Sequence, residues 1–134
     1  MKKFLIALCA LLLCCGLEAQ AQVLKFNSTD FAYRTNRNGN WSDWSDWEDC
    51  NVLVVLNLDK EEINIYSAEP QELTIYSGDG EFYPDSSGGE QTEFKCVDLD
   101  GTRCTVRLRI QKDGQWQLYV DYSNISYVYC IEKR

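Results

Sequence analysis

The chain has no histidine, and that one absence removes several chemistries. A Ser/His or Cys/His nucleophile pair needs an imidazole base. Zinc sites draw on His or on CxxC knuckles, and residues 22–134 contain neither. Proline is almost as scarce: Pro70 and Pro84 are the only two. Basic residues are outnumbered 13 to 21 by acidic ones, a net charge of −8. That balance repels phosphate backbones and anionic membrane surfaces, so a nucleic-acid partner is not expected. Beyond residue 21 no apolar run reaches membrane-spanning length and no sustained helical period occurs.

What is there begins with an export pattern. Lys2 and Lys3 lead into the apolar run "FLIALCALLLCC", and Ala19-Gln20-Ala21 fits signal peptidase. Residues 1–21 are thus expected to be a signal peptide, and 22–134 one exported domain, periplasmic or extracellular, with no membrane insertion of the mature chain. A lipoprotein needs a small residue before its acylated Cys, but Leu13 precedes Cys14. Loss of Lys2, Lys3 and Glu18 moves the net charge to −9. The lysine-led signal looks bacterial, which discounts the sequons at Asn27, Asn40 and Asn124.

The rest alternates with period two between turn signals, as antiparallel strands do. "VDLDGT" reads as a three-residue hairpin loop with Gly101 left-handed, so Cys96 faces Cys104 and Phe94 faces Val106. "QKDGQ" repeats the device and sets Ile110 against Trp116 and Val106 against Val120. A tight turn at Ser123-Asn124 brings Leu118 opposite Tyr129 and Trp116 opposite Ile131. One apolar face then crosses four strands, Tyr122, Ile125, Tyr127 and Tyr129 included. Earlier, a turn at "DKEE" is expected to place Leu58 opposite Ile63, with further strands at 23–26 and 31–35. The fold class is all-β: an antiparallel meander of about eight or nine strands closing into a small up-and-down, lipocalin-like barrel. A two-sheet β-sandwich is the runner-up.

Four cysteines remain after residue 21, an even number that favours disulfides in an exported chain. The register proposes Cys96–Cys104, with two reduced core thiols as the alternative. Elimination leaves Cys50–Cys130. Parity resists that pair, because Cys130 alternates outward while Cys50 shares parity with inward Val52; a bulge near Glu48-Asp49 would reconcile them.

"WSDWSDWEDC", residues 41–50, holds three of the four tryptophans. "WSDWS" is similar to the WSxWS box of cytokine receptors, and the longer stretch looks like the WxxWxxWxxC opening of thrombospondin type 1 repeats. In both families Trp rings interleave with Arg side chains of a neighbouring strand. The match covers ten residues and departs at Asn51, where a thrombospondin repeat continues with a CSxxCG-type segment, so it is read as coincidental. The "AQAQ" junction, the W-x-x-W segment, the "IYS" strands and the closing "LYVDYS…YVY" resemble small secreted all-β proteins of Bacteroidetes-type bacteria. That resemblance implies secretion and an all-β fold, and carries no catalytic residue across.

Strand parity predicts Trp44 inward and Trp41 and Trp47 outward. The outward rings either pack, with Arg34 or Arg37 stacked on one of them, or form a contact surface. The preferred reading is a non-enzymatic exported interaction module that meets a glycan or protein through Trp41, Trp47 and Trp44. The alternative is a lipocalin-like carrier of a small apolar ligand; a third is a carboxylate-based hydrolase. No cofactor or metal is expected. The acidic stretch "SGDGEFYPDSSGGE" (77–90) lacks the spaced ligands of a calcium loop and is read as a solvated loop or a lid over one barrel end.

Overall fold

The computed structural model describes residues 23–134; the expected signal segment lies outside the described residues. Ten strands follow one another with no helix among them: β1 Val23–Arg37, β2 Asn40–Trp41, β3 Glu48–Asn57, β4 Glu62–Tyr66, β5 Gln71–Ser77, β6 Tyr83–Pro84, β7 Glu90–Val97, β8 Arg103–Ile110, β9 Trp116–Asp121 and β10 Ile125–Lys133. Eight of them close an antiparallel barrel in the order β1-β3-β4-β5-β7-β8-β9-β10, with β10 returning to β1. β2 and β6 lie outside it, on β1 and β7. Closure leaves no long unpaired edge.

Period-two alternation fills the barrel. Val54, Leu56, Ile63, Ile65, Phe94, Val106, Leu108, Leu118 and Val120 all point inward and are fully buried. Each such side chain contributes roughly 1.5–3 kcal/mol over its exposed state. The hairpin pairings Cys96–Cys104, Ile110–Trp116 and Leu118–Tyr129 are those the turn residues require. Gly101 takes φ +82°, and its amide donates to the Asp98 carbonyl, as the bulged loop demands.

Two registers differ from the sequence reading. Leu56, not Leu58, faces Ile63, because Asn57 and Glu62 close the β3–β4 turn. The shift is even, so the inward face is kept. It frees Leu58 to fold from the turn into the barrel end, where it is wholly buried. The two expected early strands are one strand, β1, broken by a bulge between Ser28 and Asp30. Against β10 Thr29 is the extra residue, so inward parity passes from Phe26 and Ser28 to Phe31; against β3 the extra residue is on β3, at Cys50–Asn51.

The barrel ends are unlike. At one end Trp116 meets Phe26 at 5.5 Å between ring centroids and Phe82 edge-on at 6.0 Å. Phe82 belongs to the 78–89 connection, which lies against this end. The connection is tied down by Asp85, which accepts from Arg109 Nε at 2.9 Å and from the amides of Ser87 and Gly89. A Cβ at Gly89 would meet the Ile110 carbonyl oxygen at 2.5 Å, so only glycine lets the chain approach so closely. The other end is open.

Candidate functional site

The open end is a cup of about 740 Å³. Its wall comes from five places in the chain: Phe31 of β1, Asp49–Val52 at the start of β3, Ser67–Glu69 with Gln71 around the β4–β5 turn, Asp98 and Thr102 at the β7–β8 turn, and Tyr122, Asn124, Ile125, Tyr127 and Tyr129 around the β9–β10 turn. The turns at this end carry small or polar residues. The one large apolar turn residue, Leu99, is 79% exposed and reaches away to solvent. The β1 bulge adds to the opening: β1 and β3 last pair at Phe31–Glu48, while β1 runs on beside β10 to Thr35–Ile125.

Aromatic rings make the floor. Phe31 stacks on Tyr129 at 6.2 Å, and the Tyr129 hydroxyl accepts from Gln71 Nε2 at 3.4 Å. The Tyr122 hydroxyl donates to Asp98 Oδ2 at 3.0 Å, while Asp98 Oδ1 accepts the amides of Asp100 and Thr102. Burial pushes the Tyr129 phenol up to about 12. Burial also raises Tyr127, and the Glu69 charge adds to it. Tyr122 is raised further, by burial first and then by Cys104 and Asp98. The phenols therefore stay neutral donors near neutral pH. Burial raises Cys50 too, against the hydrogen bond with Ser28.

All four described cysteines are free thiols, which corrects both expected disulfides. Cys96 and Cys104 do face each other, but the Asp98 amide bonds to the Thr102 carbonyl, and ladder alternation then makes 96–104 a hydrogen-bonded pair as well. Cβ atoms at such sites stand near 5.5 Å, wider than the roughly 3.8 Å of a disulfide. Burial holds Cys96 at about 12 and Cys104 at about 11. Cys50 and Cys130 sit on β3 and β10, which flank β1 from opposite sides. Alternate strands are about 9.5 Å apart, beyond disulfide reach. β3 is irregular close to the expected place, with Cys50 and Asn51 opposing the single Thr29 of β1, but this does not bring the two together: Cys50 lines the cup, and Cys130 lies outward, paired with Gln117.

The tryptophan stretch forms a different surface, on the outer wall. Residues 42–47 make no regular strand, yet they run along the edge of β1 that β3 has left. The Ser45 amide donates to the Tyr33 carbonyl and Ser45 Oγ accepts the Tyr33 amide; Ser42 does the same for Thr35, with distances of 2.8 to 3.0 Å. This three-residue repeat replaces two-residue alternation, so Trp44 is not inward as parity predicts. Trp41 and Trp44 share one side, and the Arg34 guanidinium lies 4.7 Å and 4.8 Å from their ring centroids. Trp44 meets Tyr119 edge-on at 6.1 Å, and Arg107 caps Tyr119 at 4.1 Å. Ala32, Ser126 and Val128 point outward on the wall beside this ladder and are nevertheless buried. Trp47, just past the ladder, is 52% exposed.

The residues singled out from sequence thus divide. Trp41 and Trp44 are joined through Arg34, Cys96 faces Cys104 in the core, and of the four cysteines only Cys50 lines the cup. The cup's Phe31, Asp49, Glu69 and Asp98 carry no sequence signal as a site. Tyr122, Tyr127 and Tyr129 do: three inward positions hold phenols where the opposite end holds Phe and Leu. No protein-family model, curated protein or solved structure matches the chain.

Proposed function

We propose that the chain is an exported, non-enzymatic binding protein that holds one small ligand in the open end of its barrel. The observation that carries this reading is the asymmetric filling of the barrel: one end sealed by Phe26, Trp116, Phe82 and Leu58, the other left as an aromatic-floored cup. A cavity of this size with apolar walls and a few polar groups is the usual form of a small-molecule site. Binding is preferred to hydrolysis because Asp98 is already engaged with Tyr122 and two backbone amides. Export is supported by the leader-like residues 1–21, and a soluble mature domain by charged outward positions such as Lys25, Glu72, Glu93 and Lys95. The test is native mass spectrometry of protein purified from its source. A copurifying small molecule should be present, be lost in Ile125→Trp, which fills the cup, and persist in Trp41→Ala/Trp47→Ala.

A second reading keeps the tryptophan surface as a contact for a glycan or protein. Exposed Trp47 favours it. In that case the double tryptophan variant loses the partner and Ile125→Trp keeps it.

A further inference from the structure

Resting on the reading of the cup as a binding site, we propose that its ligand is an organic cation: an ammonium or related positive group on an apolar or aromatic body. Three carboxylates, Asp49, Glu69 and Asp98, line the cup, and no Lys or Arg does. The ion pairs among the described residues, Arg107–Asp121 and Arg109–Asp85, lie on the outer wall and at the closed end, so neither neutralises the cup. Asp98 already accepts three hydrogen bonds, but covering Asp49 and Glu69 with a neutral ligand would strip water from charges and return nothing, whereas a cation compensates each one it approaches.

The floor suits the same ligand. Phe31 and the three tyrosines present π-faces, which attract a desolvated cation and pack an apolar body equally well. Beyond burial, the Glu69 charge adds to the upward shift of Tyr127 and Asp98 to that of Tyr122, so two of the carboxylates act on phenols of the floor. The net charge of −8 extends this field outward and draws cations toward the mouth. A bare metal ion fits less well, because among the described residues no three Cys, Asp or Glu side chains gather closely enough to hold one. The volume, about 740 Å³, falls in the range of pockets that hold drug-sized organic molecules.

Three fluorescent probes that share one ring system test this: dansylcadaverine (cationic), dansylamide (neutral) and dansylglycine (anionic), each titrated into the purified protein. The cation should bind at least about tenfold more tightly than the neutral probe. The anion should bind more weakly than either. Rising salt should narrow the difference, and Asp49→Asn/Glu69→Gln should nearly abolish it. Among the described residues neither carboxylate of that variant is hydrogen-bonded or ion-paired, and a urea midpoint equal to that of the parent chain shows that the variant is folded. Equal affinity for the cationic and neutral probes, or preference for the anion, overturns the cationic ligand and leaves the cup reading intact as long as Ile125→Trp still blocks binding. If no probe binds, or Ile125→Trp blocks none, the cup reading falls and the cationic ligand falls with it.

Discussion

At one end of the barrel Trp116 packs against Phe26 and, edge-on, against Phe82 of the 78–89 connection, with Leu58 folded in from a turn. At the other, Phe31, Tyr122, Tyr127 and Tyr129 stand around open space, and the turns above them carry Ser, Ala, Asn and Asp. The same eight strands build both ends. The difference lies in what the connections contribute: apolar plugs at the closed end, short polar turns at the open one. Dense packing and open volume are thereby separated along the barrel axis. The closed end and the middle carry the core, so the open end is free to present a cavity that a fully packed barrel could not hold.

Paired truncations would break or sharpen this contrast. Phe26→Ala at the closed end should cost about 3–5 kcal/mol, the cavity term included. Ile125→Ala at the cup should cost only about 1 kcal/mol, since water already reaches it. Urea midpoints of the two variants give the comparison, and equal losses would mean that both ends carry the fold.

The next effect concerns the thiols. Cys96 and Cys104 have folded values raised above the ordinary 9.0, to about 12 and about 11. The folded state therefore prefers the protonated thiol. Its contribution is complete below pH 9 and is lost as pH rises toward 12, by up to about 1.4 kcal/mol per pH unit per thiol. Cys96→Ala should flatten that alkaline loss in a denaturation series. A slope identical to that of the parent chain would mean that these thiols are not buried as protonated groups.

The smallest effect belongs to the strap over the closed end. The hydrogen bonds from Ser87 and then Arg109 hold the Asp85 carboxyl well below the usual range. Its hold on the connection is present above pH 4 and weakens as pH falls through the carboxylate range. Asp85→Asn should speed hydrogen exchange in residues 78–89 and leave the barrel strands unchanged. Faster exchange spreading into β8 and β9 would show instead that the strap is part of the core.

Much of the architecture was legible in residue order. Gly101 and Gly114 mark three-residue loops, and one register step either way would turn Val106, Leu108 and Leu118 out to water, so those pairings follow from local chemistry. The β3–β4 turn was less legible, because a shift of two keeps Leu56 and Ile63 on the same face and alternation cannot distinguish the two registers. The bulge at Thr29 had no mark in the sequence. Two-residue parity fails at Trp44 because Ser42 and Ser45 impose a repeat of three there.

By itself, then, the sequence determined an all-β meander and the register of its hairpins, since these rest on residues adjacent in the chain or one turn apart. Only the tertiary structure decided that β10 returns to β1, that Leu58 and Phe82 plug one end while Leu99 leaves the other open, and that Arg34 lies between Trp41 and Trp44. It also decided that Asp49, Glu69 and Asp98 share one cup. These facts depend on groups brought together from distant parts of the chain, and period and propensity act only over a few residues.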